Sequence, residues 1–304
     1  MKKFYKFLSL LLGFCFIFTL LNKPISVNAD SGPKPSVNIT LNNLEETAYI
    51  TLLSSREYNG PYMAVQDDEN PLSYKDYHCE SLSDEVFLKF VNYVDKDNYY
   101  FICYANKLTK ENNTFKWGYY PPNPFKILIY FESSDTFVTS DIMERYAFDS
   151  YYEIDVNTIN FNDTLDVVEL NEIKKTYNYF GEFLFLLIRI VLTITVELLV
   201  ALLFFHARKK LFIQISVVNI ITQLLLNIGL NIVQFNSGWL AYILLYILLE
   251  FLVFVIEAIA FSIILSRNEE INYPKLKGVG YALIANIISF TVGFILALYL
   301  PFGF

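Results

Sequence analysis

The C-terminal part of the chain carries four long apolar stretches, each long enough to cross a lipid bilayer as a helix. A transmembrane helix needs about 20 predominantly apolar residues. The four stretches are residues 180–205, 211–235, 239–265 and 279–300. This pattern predicts an all-α four-helix transmembrane bundle over residues 179–304.

Polar side chains interrupt these apolar stretches at helical spacing. In the second stretch, amide and hydroxyl residues recur every three or four positions, which places them on one face of a helix. They are Ser216, Asn219, Gln223, Asn227, Asn231 and Gln234. Because such groups are costly against hydrocarbon, we expect this face to turn towards the interior of the bundle.

The intramembrane polar residues sort into two layers by depth. The inner layer consists of Glu197, Asn219, Glu257 and Asn286, and the outer layer of Arg189, Asn227 and Glu250. We expect Arg189 to pair with Glu250. Glu197 and Glu257 have no basic residue at their own depth, so as neighbours they would share a proton or hold a cation. The alternative is a structural role, in which each interhelical hydrogen bond contributes about 0.6–2 kcal/mol.

The N-terminus has the pattern of a secretory signal peptide. Lys2, Lys3 and Lys6 precede an apolar core over residues 8–21, and Val27-Asn28-Ala29 provides small residues at a cleavage site. We therefore predict a signal peptide over residues 1–29. The alternative is an uncleaved N-terminal anchor.

Basic residues in the connections between the apolar stretches predict the orientation. The connections 206–210 and 266–278 contain lysine and arginine, whereas Asn236–Gly238 has no charge. Because basic residues mark cytoplasmic loops, the two basic connections are expected on the cytoplasmic side of the cell membrane. Residues 30–178 and the C-terminus are then outside, as a cleaved signal peptide also requires.

Residues 30–178 have the pattern of a β-rich exterior domain, an antiparallel sheet or sandwich with one helix. Strands are predicted where apolar and polar residues alternate, as in 37–41 and 149–156. The stretch 125–131 is apolar on both faces except at Lys126, which is typical of a central strand. Apolar residues at helical spacing over 84–94 predict the helix, with Ser83 or Asp84 as its cap.

Charge and composition restrict the range of partners. Residues 30–178 contain 25 acidic and 12 basic residues, a net charge of −13. This argues against nucleic acid, which requires a basic footprint, and against docking on anionic lipid. The abundance of Asn, Lys, Ile, Tyr and Phe indicates an AT-rich genome, such as that of a low-GC Gram-positive bacterium.

Two cysteines remain in the predicted mature chain. Cys79 and Cys103 would both be exterior, where a disulfide is permitted. The alternative is two separate thiols, with Cys103 buried. A structural zinc site needs four well-spaced ligands. No second His or Cys cluster accompanies His78-Cys79, so we predict no metal and no cofactor.

Several segments resemble an uncharacterised family of Gram-positive bacterial membrane proteins. They are Glu197–Phe204, Asn219–Asn227, Glu250–Ala258 and the Gly-Pro-Lys-Pro-Ser segment 32–36 that begins the predicted mature chain. The resemblance covers most of the chain. It implies a signal peptide, an exterior domain and about four C-terminal spans, but no established activity from which a catalytic role could be transferred.

Three functions are compatible with these features. The one favoured by the sequence is a sensing component of the cell membrane, with a buried polar network and an exterior domain that binds a cell-wall component, a peptide or another membrane protein. The alternative is a small proton- or cation-coupled transport module that uses the intramembrane carboxylates, with homo-oligomerisation providing a larger path. An intramembrane enzyme is the third, and it is the least favoured because no known catalytic motif is found.

Overall fold

The computed structural model describes residues 32–161, 167–170, 172–205, 209–267 and 273–299, with side chains up to residue 295. The predicted signal peptide, residues 1–29, lies outside these ranges. So do most of the first predicted cytoplasmic connection, much of the second, and the last five residues of the chain.

The first half of the described chain consists mainly of β-strands. They are β1 Ser36–Asn42, β2 Ala48–Ser54, β3 Tyr58–Asn59, β4 Tyr62–Met63, β5 Tyr100–Leu108, β6 Thr114–Trp117, β7 Phe125–Phe131, β8 Thr136–Thr139, β9 Asp149–Asp155, β10 Val167–Glu169 and β11 Ile173–Lys175. Two short helices, α1 Lys75–His78 and α2 Asp84–Val91, lie between β4 and β5. We refer to residues 34–178 as the β-domain.

Two sheets pack face to face in the β-domain. One has the strand order β11-β9-β1-β6 and the other β10-β8-β7-β2-β5, with β3 and β4 forming a separate hairpin. Side chains from both sheets, such as Ile39 and Trp117 from the first and Ile127 from the second, form one core. As the sequence predicted, β7 is central in its sheet and buried on both faces.

A second core lies on the other face of the five-stranded sheet, where α2 packs. Val86, Phe87 and Phe90 of this helix contact strand residues such as Tyr130. The Ser83 hydroxyl accepts a hydrogen bond from the Val86 amide, as expected of an N-cap. The predicted helix and its cap are therefore confirmed, although the helix ends at Val91 rather than at residue 94.

The sheets are mixed rather than purely antiparallel. β1 pairs in parallel with β9 over seven residue pairs, and β10 pairs in parallel with β8. Alternation of polar and apolar residues shows that a strand is half-buried but carries no information about its direction. The expectation of an antiparallel sheet was wrong at these two pairings for that reason.

Three long helices follow the β-domain in the described part of the chain, where the sequence predicted four. They are α3 Tyr179–Phe204, α4 Lys209–Ser266 and α5 Lys275–Tyr299. All three are long and apolar enough to cross a membrane. The predicted count of four is not matched, because residues 211–235 and 239–265 follow one another within α4 and are divided only at the non-helical Gly238.

Helix α4 is nevertheless not straight. Gly238 has a φ of 78° and a ψ of 179°, which are not helical values. The Thr222 hydroxyl lies 2.6 Å from a Glu257 carboxylate oxygen, although 35 residues of straight helix would separate them by about 50 Å. The chain therefore folds back at Gly238, and we call residues 209–237 and 239–266 the first and second halves of α4.

Candidate functional site

The polar face of the first half of α4 is turned inwards. Asn219, Gln223 and Asn227 are buried in the bundle, whereas Ser216, Asn231 and Gln234 towards the ends are half-buried. Apolar residues of the same segment, including Ile221 and Leu225, are exposed on the outer surface. The bundle is thus apolar outside and polar inside, as the spacing of these residues predicted.

Glu257 is the centre of a hydrogen-bonded network in this interior. Its side chain is fully buried, and each carboxylate oxygen accepts one hydrogen bond. The Thr222 hydroxyl donates to Oε1 at 2.6 Å, and the Asn286 amide donates to Oε2 at 2.6 Å. Because the three residues lie on the two halves of α4 and on α5, the network joins three helical segments.

Glu197 lies in the same interior but differs from Glu257 in its hydrogen bonding. Its side chain is 0% exposed, and neither carboxylate oxygen has a partner among the residues that the structure describes. Glu257 and Glu250 are both close enough to act on it electrostatically. Two buried carboxylates therefore act on each other electrostatically, and among the described residues only Glu257 has hydrogen-bond donors.

The two inner-layer amides add further unpartnered oxygen atoms. The side-chain oxygens of Asn219 and Asn286 are buried, and no described residue donates a hydrogen bond to them. Asn219 lies beside Tyr281, and the Tyr281 hydroxyl interacts electrostatically with Glu197 and Glu257. This hydroxyl donates its hydrogen bond to the Glu197 backbone carbonyl at 3.2 Å. Of the four predicted inner-layer residues, Glu257 and Asn286 are bonded to each other, and Glu197 and Asn219 both neighbour Tyr281. Three of the four carry side-chain oxygens without a donor among the described residues.

The outer layer is arranged differently from the prediction. The guanidinium of Arg189 donates to the Tyr242 hydroxyl and lies 5.0 Å from the centre of the Tyr246 ring. Within the described residues it forms no ion pair with Glu250, which is half-buried and has an unpartnered Oε2. The expected Arg189–Glu250 pair was wrong because the two tyrosines cover the guanidinium, an arrangement that a depth argument cannot reveal.

Asn227, the remaining outer-layer residue, bonds within its own helix. Its amide donates to the Gln223 backbone carbonyl at 2.7 Å. Thr222 and Tyr281 were not singled out from the sequence, although both belong to the site. Thr222 could have been found because it lies three positions after Asn219 and so shares its face of the helix. Tyr281 gave no comparable signal, since it lies near the start of its helix among apolar residues.

The two cysteines of the β-domain lie in the second core. Both are buried and carry free thiols in this structure. Burial raises the pKa of each thiol to about 12.

The β-domain is attached to the tip of the α4 hairpin by a close contact. The Phe148 amide donates to the Phe235 carbonyl at 2.8 Å. A Cβ atom on Gly238 would lie only 2.5 Å from the Phe148 ring, so no other residue fits there without displacement. Tyr146 and Tyr177 pack their rings around Phe235. Hydrogen bonding and close packing thus fix the sheets to the point where α4 reverses.

Comparison of this chain with protein-family models, with curated proteins and with solved structures gives no match in any of the three. The resemblance to a Gram-positive membrane family stays a prediction. Function must therefore be argued from the chemistry of the site.

Proposed function

We propose that this is a multi-pass membrane protein whose bundle binds a proton or a small cation between Glu197 and Glu257, as a small proton- or cation-coupled module. The observation that carries the proposal is the fully buried carboxylate of Glu197, whose two oxygens have no donor in the described part of the chain. The sequence alone favoured a sensing function. The unpartnered carboxylate shifts the balance, because a purely structural network would be expected to satisfy it.

Four crossings of the membrane accompany this proposal, since α4 folds back on itself at Gly238. The β-domain and the tip of α4 then lie outside the cell, and the basic connections 206–210 and 266–278 lie in the cytoplasm. In this arrangement the polar residues are inside the bundle and the exposed apolar side chains face lipid. The signal peptide over residues 1–29 belongs to the same topology.

The physical argument rests on the cost of an unpaired charge. A charged side chain at the centre of a membrane helix costs about 2.5–3.5 kcal/mol or more. Two carboxylates in one desolvated space also repel each other, so binding one proton or one cation removes most of the penalty. Glu197, Asn219 and Asn286 offer oxygen ligands, which hard cations prefer.

The proposal is tested by flux measurements on the purified protein in liposomes. In one assay, a potassium gradient with valinomycin drives protons across the liposome membrane, and a pH dye inside the liposomes reports their movement. In a parallel assay, the movement of radioactive sodium across the same membrane is measured. Glu197→Gln should abolish the flux of the coupled ion. Glu182→Gln is the matched control, because it makes the same change on α3 at a residue whose carboxylate accepts from Tyr177. Wild-type protein that moves neither ion would contradict the proposal.

A sensing component is the second candidate, and the contact between Phe148 and Gly238 favours it. A β-domain fixed to the turn of α4 could transmit ligand binding to the helices. Hydrogen exchange tests this with cell-wall fragments or peptides added to the full chain. Sensing predicts slower exchange in the helices on addition of a ligand, and loss of that response in Gly238→Val. An ion path within the bundle predicts that Gly238→Val keeps its flux.

A further inference from the structure

A polar cleft lies where the β-domain meets the tip of α4. Its volume is about 480 Å³, and its lining includes Asn123, Arg145 and Tyr146 from the β-domain and Asn236 and Ser237 from α4. It is remote in sequence from the inner-layer carboxylates. Nothing proposed above for Glu197 and Glu257 depends on it.

Arg145 is the charged group of this cleft that lacks a counter-ion. Its Nε atom is buried without a hydrogen-bond acceptor, and Arg145 forms no ion pair within the described residues. Asp149, an acid close enough to act on Arg145 electrostatically, accepts a hydrogen bond from the Ser36 hydroxyl. Burial lowers the pKa of Arg145 below its ordinary value, and the opposing influences of Tyr152 and Asp149 do not restore it. An anion in the cleft would compensate for the lost hydration.

The guanidinium is held on a fixed part of the backbone. The Arg145 amide donates to the Asn123 side-chain oxygen at 2.9 Å, and Phe148 three residues later is bonded to α4. The Lys175 ammonium lies 5.2 Å from the centre of the ring of Tyr146, one of the residues that line the cleft. An arginine on this backbone, with hydroxyl and amide groups lining the same cleft, is suited to oxyanions, whose geometry matches its fork of donors.

We propose that this cleft binds a phosphate-type oxyanion through Arg145. The phosphate could belong to a lipid headgroup or be free in solution, and the chemistry recognised is the same. The position is consistent with either source, because Trp239 and Tyr179 are exposed at the same end of the helices. Tryptophan and tyrosine in such places are typical of headgroup depth.

The acidic character of the β-domain does not oppose this proposal at short range. Its charges act over about 8 Å at physiological ionic strength, whereas Arg145 would contact the anion directly. Acidic surfaces elsewhere in the domain reduce the rate at which anions approach, but they do not occupy the guanidinium. The expected ligand is therefore a single phosphate group rather than an extended anionic surface.

Phosphorus NMR on the full-length protein in detergent tests this proposal. One arm titrates inorganic phosphate, and another titrates a short-chain phosphatidylglycerol. A galactolipid without phosphate competes in the second arm to exclude binding through the acyl chains. Arg145→Ala should weaken binding about tenfold to a hundredfold, which corresponds to one charged hydrogen bond or pair. Arg56→Ala, at an exposed arginine of the same domain, should leave binding unchanged.

The outcomes distinguish a lipid headgroup from free phosphate as the bound anion, and they include results that overturn the proposal. Binding of the lipid alone identifies a headgroup site, and binding of inorganic phosphate identifies a site for soluble phosphate. If Arg145→Ala does not fold, Ser237→Asp replaces it, because Ser237 is exposed and a carboxylate there should repel the anion. Equal binding by wild type and these variants, or no binding of either probe, overturns the proposal.

Discussion

Glu257 accepts a hydrogen bond from the side-chain amide of Asn286 at 2.6 Å, deep between the second half of α4 and α5. Both side chains are buried, so water cannot replace either partner. This bond, together with that from Thr222, leaves Glu257 satisfied while Glu197 nearby is not. This asymmetry marks Glu197 as the carboxylate that a bound proton or cation would compensate.

Asn286→Leu should destabilise the bundle. It removes one donor to Glu257 and leaves a buried oxygen unpartnered, which costs about 1–3 kcal/mol. Thermal unfolding in detergent, followed by the helical signal in circular dichroism, measures the loss. Ser289→Ala is the control, because the Ser289 hydroxyl donates to the Asn286 backbone carbonyl at 3.3 Å and not to the Glu257 carboxylate. Equal melting temperatures for the two variants would contradict the role of Asn286.

Gly238→Ala should weaken the attachment of the β-domain to α4. The added Cβ would collide with the Phe148 ring, and a φ of 78° is unfavourable for alanine. We expect a loss of about 1–3 kcal/mol, measured as a lower melting temperature. Gly229→Ala is the matched control, since its Cβ would meet only a leucine methyl at an ordinary 3.8 Å.

The double variant Gly238→Ala with Phe148→Ala separates collision from backbone strain. Removing the ring should recover the part of the loss that comes from the collision. A double variant whose loss equals the sum of the two single losses would show that the two residues do not interact.

Lys126→Met should strongly destabilise the β-domain. The Lys126 ammonium is fully buried on β7 and lies 2.5 Å from Asp95 and 2.9 Å from Asp97. Removing it leaves the buried carboxylate of Asp95 uncompensated, which costs about 3–5 kcal/mol. Denaturant unfolding measures the difference, with Lys116→Met at an exposed position of β6 as the control. A loss similar to that of the control would be incompatible with a buried ion pair.

The same ion pair predicts a loss of stability at high pH. Burial alone lowers the pKa of Lys126, but its hydrogen bonds to Asp95 and Asp97 outweigh burial and raise the pKa above its ordinary value. The stabilisation is therefore fully present below the unfolded pKa of about 10.4 and is lost as the pH rises through the folded pKa. The melting temperature of the wild type should fall over this alkaline range more steeply than that of Lys126→Met.

Cys79 and Cys103 should be unreactive in the folded protein. Both thiols are buried, and their pKa of about 12 leaves almost no thiolate at neutral pH. We expect no labelling by N-ethylmaleimide until the protein is unfolded, when both cysteines react. An added surface thiol, Ser55→Cys, reacts in the folded state and serves as the control. Labelling that requires a reductant even after unfolding would show a disulfide instead.

The sequence predicted individual strands and helices better than it predicted which of them pair or pack together. The central strand β7 and the inward face of α4 followed from periodicity, because burial imposes a pattern on one segment at a time. The two parallel strand pairings and the contact of Phe148 with Gly238 join residues remote in sequence, so no local pattern encodes them. Lys126 was noted only as an exception to an apolar strand, since its partners Asp95 and Asp97 lie in a loop about thirty residues away.

The sequence proposed residues for the candidate site, but it did not predict the hydrogen bonds that these residues form. Depth along four apolar stretches was enough to group Glu197, Asn219, Glu257 and Asn286. It could not show that Tyr242 would take the hydrogen bond from Arg189 in place of Glu250, because depth says nothing of rotation about each helix axis. The unpartnered state of Glu197 also depends on such rotation.

Infrared difference spectroscopy tests the central claim most directly, because it reports protonated carboxyl groups. The protein in liposomes is compared at neutral and alkaline pH, with and without sodium. We predict a carbonyl band of a buried carboxylic acid, or a sodium-dependent carboxylate band, that disappears in Glu197→Gln and persists in Glu182→Gln. Spectra that contain neither band in the wild type, or that are identical in wild type and Glu197→Gln, would contradict a proton or cation bound between Glu197 and Glu257.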